Sequence, residues 1–280
     1  MLQKLAVIGL CLGALLPGNA AFAKPAAGAA TASASKSKLD LESCKKALES
    51  GDEARALSAL DEIELSADRR AAPLIDALLN RGASVPLLLR AMGVAGVLAQ
   101  ESSSSALAPY VKHRAPEVRR AAAQALAHTK GSVAVQALQS ALRGSDPALR
   151  GTAADGLGTL GAKEAVPDLL IVLTKQVPEA AGAIGRLCRD AECKRFLNML
   201  GNLPFDVMES GILPLLLRTG ADVPESVKLQ LIERLRRMAT EKSSALLSTA
   251  LATYPQNGSS QIRTAIDAAL HGHPVTSTEP

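Results

Sequence analysis

The residues with most chemistry to offer in this chain are four cysteines, four histidines and a few clusters of bases. Cys188 and Cys193 stand close together with Arg189-Asp190-Ala191-Glu192 between them. In an oxidising compartment such a pair closes a short loop, which the chain-entropy account values at roughly 2–3 kcal/mol. The alternative is two free thiols buried as small hydrophobes. Cys44 is a leftover thiol, either free or available for linkage to another molecule. His271-x-His273 places two imidazoles on one side of an extended segment. Without a third histidine or a carboxylate, that pair is not expected to hold a metal.

Gly156-x-Gly158-x-x-Gly161 spells the dinucleotide fingerprint, which requires a strand before it and a helix N-terminus after it. Here the glycines fall inside and at the end of a stretch with helical period that opens at Pro147, so they read as small residues at a packing seam. No cofactor is expected. Gly-x-Ser-x-Gly, His-Glu-x-x-His and Walker patterns are missing, and the chain reads as a non-enzyme. Two basic clusters stand out: Lys112-His113-Arg114 with Arg119 and Arg120, and Arg234 with Arg236 and Arg237. Each is either a solvated helix face or a dock for an acidic partner. With 3 Phe, 2 Tyr and no Trp, the aromatic interleaving that single-stranded nucleic acid needs is missing. Nucleic acid is not an expected partner.

The elements that would position these groups are helices. The chain has 280 residues and is 48% hydrophobic but only 2% aromatic. Its core must therefore be Ala, Leu and Val, which suits packed helices better than sheets. Prolines recur at Pro86, Pro116, Pro147 and Pro178, spaced by 30, 31 and 31 residues. A proline in the first turn of a helix loses nothing, because its missing N–H would be unpaired there. Asp146 is a good N-cap before Pro147, and Glu117 and Glu179 suit the positive helix start. Apolar residues then follow at helical spacing: Val118, Ala122, Ala125 and Leu126, and again Leu149, Ala153, Leu157 and Leu160. Gly131 and Gly161 end or follow these helices. A second amphipathic helix comes next each time, over Ser132–Leu142 and Ala162–Thr174. Further helices are expected at Phe205–Thr219, Pro224–Ala239, Ser243–Thr253 and Ser260–Leu270. One such hairpin cannot bury its own apolar face, whereas stacked hairpins share a continuous core.

The ends read differently. Lys4, an apolar run from Leu5 to Leu16, Pro17-Gly18 and Ala21-Phe22-Ala23 have the order of a secretory signal peptide cut after Ala23. Residues 24–38 form an Ala/Ser/Lys-rich tether, 39–270 the repeat array and 271–280 a disordered tail. Removing the leader takes away one base (Lys4), so the net charge of +4 becomes +3. No later apolar stretch is long enough to span a bilayer. The expected location is outside the cytoplasm, either periplasmic or secreted.

The block SDPALRGTAADGLGTLGAKEAVPDLL, Ser145 to Leu170, resembles HEAT-like repeats, especially the short type found in bilin-lyase-like proteins. The resemblance is clearest over 84–174. It implies an all-α fold, a right-handed α-solenoid of stacked helical hairpins, whose concave surface, lined by the second helix of each hairpin, holds a protein or peptide partner. On that reading Lys112, Gln136, Gln139, Arg143, Asp168 and Lys175 are candidate contacts. Arg90, Arg119, Arg120, Arg150 and Lys228 are expected to form a polar ladder between neighbouring units. The expected function is an exported, non-catalytic adaptor or scaffold. Two alternatives accompany it: handling of a chromophore or related ligand, as the bilin-lyase resemblance implies, and an envelope assembly factor linked through the Cys44 thiol.

Overall fold

The computed structural model describes residues 39–272. The expected leader, the tether and the tail beyond Gly272, His273 included, lie outside the described residues. Within them the chain is a succession of α-helices with no named strand.

Three prolines set three helix starts. Helix α6 runs Pro116–Thr129, α8 Pro147–Leu160 and α10 Pro178–Leu187, each beginning on its proline. Asp146 caps α8 by accepting from the Leu149 N–H at 3.2 Å. Gly161 ends the same helix at φ 73°, and its N–H turns back to Gly158 and Leu157. That left-handed position is one a side chain would strain. Pro86 lies in the first turn of α4, Val85–Leu98. Between these come α5, Ser104–Leu107, continued by a 3₁₀ stretch Ala108–Lys112, then α7, Gly131–Leu142, and α9, Val166–Leu173. The last starts later than its hydrophobic pattern suggests. Pro167 must sit in a first turn and disfavours helix just before it; Lys163–Ala165 accordingly forms a 3₁₀ turn.

Before this region lie α1, Leu41–Glu49, α2, Glu53–Ser66, and α3, Ala72–Arg81. After it come α11, Asp190–Met199, α12, Phe205–Leu217, α13, Glu225–Met238, α14, Glu241–Thr253, and α15, Ser260–Leu270. The helices stack in two rows. The even-numbered helices from α2 to α14 follow one another in one row, and the odd-numbered helices from α1 to α15 in the other. One aliphatic core runs between the rows from Leu39 to Ala269. This is the all-α stack of hairpins that the proline period implies.

The even row is the tighter one, and small residues make it so. A Cβ built on Gly185 of α10 would overlap the backbone carbonyl of Gly211 in α12. One built on Gly211 would overlap the Ala181 carbonyl and lie 2.8 Å from the tip of the Phe196 ring. Two of the fingerprint-like glycines also mark packing contacts. Gly156 faces Leu138 and Ala127, and Gly158 faces the Arg186 guanidinium. They sit in α8 at packing contacts and do not open a phosphate-binding helix.

Candidate functional site

The stack spends most of its charge on itself. Arg90 in α4 reaches back to Asp61 at 2.7 Å and to Glu64, both in α2. Arg119 donates to the carbonyls of His113 and Arg114, each at 3.0 Å, and to Asp146 at 2.7 Å. That pairing and the α8 N-cap together hold the Asp146 carboxyl below its usual range. Arg150 repeats the motif one unit later, donating to the Gly144 and Ser145 carbonyls at 3.0 and 3.2 Å. The position matching Asp146 is here Val177, and Arg150 Nε is left buried without a partner. Arg186 pairs with Asp155 at 2.8 Å. Lys228 is buried and donates to the Arg218 carbonyl; burial pushes its amine below the ordinary lysine range. Of the five ladder bases, Arg90 and Arg119 thus link neighbouring units as expected, while Arg150 and Lys228 instead satisfy carbonyls of the turn before their own helix. Arg120 is exposed and takes no part.

The two basic clusters part company. Arg234 donates to the Leu197 carbonyl and to Asn198. Arg236 and Arg237 converge on Glu233, at 2.8 and 2.7 Å. Their hydrogen bonds, Arg236 first, draw the Glu233 carboxyl from 4.5 down to about 2. A pH dependence follows. The folded carboxyl sits below its unfolded value, so the unfolded chain takes up a proton first as pH falls. The stabilisation is complete above about pH 4.5 and is lost toward pH 2. With solvent screening of the exposed Arg237, it amounts to about 1–2 kcal/mol. Denaturant unfolding of Glu233→Gln is expected to show that loss already at pH 7 and a correspondingly shallower decline in acid. Equal acid slopes for both proteins would remove this role.

The other cluster is only half spent. Arg119 is engaged as described, and His113 Nδ1 accepts from the Ala115 N–H at 3.2 Å. Lys112 and Arg114 are exposed, and neither side chain makes a hydrogen bond or ion pair within the described residues. Lys112 overhangs a cavity of about 460 Å³ between the 3₁₀ stretch and α7, lined also by Pro109, Val133, Gln136 and Ser140. A second cavity of about 430 Å³ shares Val111, Lys112 and Ser140 with it and continues past Arg114 toward Ser145. The two adjoin in one groove that runs from the odd row to the turns before α6 and α8. Val133 is 40% exposed there, one of four large apolar side chains so placed among the described residues.

Of the six candidate contacts, the structure brings Lys112 and Gln136 into this groove. Gln139 is half-buried on the same helix, α7. Arg143 and Asp168 pair with each other at 2.9 Å and tie α7 to α9. Lys175 is exposed just beyond α9. Sequence reasoning missed Val133, whose apolar type and helical phase pointed inward. It also missed Arg218, which donates to the Cys188 carbonyl at 2.7 Å and pairs with Asp222 at 3.3 Å. No local pattern marks an arginine whose partner lies 30 residues away.

Cys188 and Cys193 are joined, with Cα atoms 5.3 Å apart, and pin the turn between α10 and α11. Cys44 is corrected as a linkage site. It is only 1% exposed, its sulfur faces Glu62 Oε2 at 4.0 Å, and burial, then Glu62 and Asp40, push the thiol up. A buried sulfur kept as thiol can neither reach nor attack a second molecule. No group of three or more metal-ligating side chains occurs among the described residues. No helix there is long and apolar enough to cross a membrane.

Comparison with known proteins gives one family match. Residues 104–187, from α5 through α10, match the HEAT repeats. No curated protein matches the sequence. Among solved structures the chain is similar to the complex of CpcE and CpcF of phycocyanin lyase from Nostoc sp. PCC7120 (18% identity, TM-score 0.48, covering 84% of this chain and 94% of that one). It is also similar to an engineered protein (17%, 0.46, 83% and 67%). A third is a designed armadillo repeat protein in complex with the peptide (KR)4 (15%, 0.42, 84% and 99%).

Proposed function

We propose, from the premise that this chain is a HEAT-like repeat protein with its family signature over residues 104–187, that it is an exported, non-catalytic scaffold. Its odd-row face would hold a protein or peptide partner. One observation carries this reading: a groove on the odd row sets an exposed apolar side chain beside cations that have no partner in the described residues. The even row closes backbone against backbone between α10 and α12, through Gly185 and Gly211, while its cavity of about 400 Å³ between α4 and α6, beside exposed Val97, is lined by no lysine or arginine. The odd row leaves a groove between the 3₁₀ stretch and α7, with exposed Val133 and unpaired Lys112. A rigid stack that leaves polar and apolar groups together in one groove is suited to hold an extended partner.

One feature supports the non-catalytic reading. The displaced titrations of Asp146, Glu233 and Lys228 trace to ion pairs, a helix cap and core burial. Export is supported by the order of charge, apolar run, breaker and Ala-x-Ala at residues 4–23. The disulfide between Cys188 and Cys193 agrees with an oxidising compartment.

The test recovers the chain from its own cells after lysine-directed cross-linking and sequences what is found. The expected result is an N-terminus at Lys24 and cross-links from Lys112 to another protein. A chain that keeps Met1 ends the export reading. A chain without intermolecular cross-links in any fraction ends the scaffold reading.

A further inference from the structure

The groove on the odd row has a charge preference that the adaptor reading alone does not supply. We infer that it takes an acidic peptide segment carrying an apolar residue, held between Lys112 and Arg114 and seated on Pro109 and Val133. The inference rests on the proposed scaffold function and narrows it to one partner chemistry.

The argument starts from how this fold treats its bases. Arg90, Arg119, Arg186, Arg218 and Arg236 are each matched to a carboxylate. Arg150 and Arg234 cap backbone carbonyls. Lys112 and Arg114, like Lys45, Arg120, Lys130 and Lys175, are matched to nothing within the described residues, but these two stand together on one groove. They stand two residues apart along the two joined cavities. The one carboxylate lining those cavities is Asp146, and Arg119 and the Leu149 N–H already occupy it. Neither the 3₁₀ stretch nor α7 contains an acidic residue. The groove therefore has uncompensated positive charge along its wall.

Its floor adds a second requirement. Pro109, Val111, Val133 and Ala137 are apolar, and Val133 is 40% exposed. Gln136 and Ser140 lie among them and can bond to a peptide backbone. An anchor on the floor, acids at the rim and a backbone between them describe a peptide. A flat anionic membrane would meet the rim cations but leave a concave floor unfilled. Charge at a rim acts chiefly on the rate of encounter, so binding should weaken with salt.

The test selects a displayed library of random twelve-residue peptides on the full chain, then measures the recovered peptides by fluorescence anisotropy. Acidic peptides with an aliphatic residue are expected, and Lys112→Glu/Arg114→Glu should weaken them at least tenfold. Lys45→Glu on α1 should not. The same peptides with their acids changed to Lys should recover binding to the doubly reversed variant. Loss without this recovery, no acidic enrichment, or equal binding to both proteins overturns the proposal. Binding to phosphatidylglycerol vesicles that depends on both cations, in place of peptide binding, also overturns it in favour of a membrane surface. Cross-linked neighbours in cells combined with any of these failures leave the scaffold reading standing and remove only this one.

Discussion

Gly185→Ala is expected to destabilise the chain by about 3 kcal/mol, because the added methyl meets backbone that cannot rotate away. The obstacle is the Gly211 carbonyl in the next helix of the even row. Relief requires α10 and α12 to move apart, which opens the core over Ile184, Phe196 and Ile212. In a stacked array such a change weakens one neighbour interface and leaves the intrinsic stability of each unit alone. Unfolding should then separate into two steps, with amides of α12 to α15 exchanging before those of α6 to α10. Gly93→Ala is the internal control. It lies exposed in α4 with nothing within 4 Å of an added Cβ, and helix propensity alone should raise stability by about 0.5–1 kcal/mol. Equal effects at the two glycines would show that the even row is not held by close backbone approach.

The second large effect is expected at Arg218. This side chain, 18% exposed, joins the end of α12 to the disulfide turn through the Cys188 carbonyl at 2.7 Å and the Gly185 carbonyl at 3.4 Å. Desolvation pulls its guanidinium below the ordinary range, and the Asp222 carboxylate opposes that. Arg218→Met keeps the bulk but leaves those carbonyls unpaired, at an expected cost of about 2–3 kcal/mol. Arg218→Lys should regain less than half, because an ammonium lacks the fork that sets Nη1 on the carbonyls and Nη2 on Asp222. Denaturant unfolding of the disulfide-bonded protein reads both numbers. Asp222 keeps Lys163 at 2.6 Å in either variant, so the loss belongs to the α12 junction. A cost below about 0.5 kcal/mol for Arg218→Met would make this contact ornamental.

How much of this was legible in the sequence follows the range of the forces involved. The starts of α6, α8 and α10 are local matters of proline and first-turn chemistry, and they fall where Pro116, Pro147 and Pro178 put them. The low aromatic content also has its local reason in the glycine seam, with one instructive exception. Phe196 is fully buried, and its ring fills the space that glycine leaves above Gly211. Less local features were hidden. Pro167 delays α9 by several residues against its hydrophobic pattern. The two basic clusters look alike as strings, yet one is neutralised by Glu233 on its own helix, while the other keeps Lys112 and Arg114 free. Burial of Cys44 depends on α1 meeting α2, which no spacing announces.

The most direct test of the central claim places a photoreactive benzophenone side chain at Gln136, in the odd-row groove, and in a second protein at Ser58, exposed on α2 of the even row. Both are irradiated in intact cells. The account predicts a discrete cross-linked protein from position 136 that is weakened by Lys112→Glu/Arg114→Glu and is missing from position 58. The same adduct from both positions, or from position 58 alone, would contradict a binding face on the odd row.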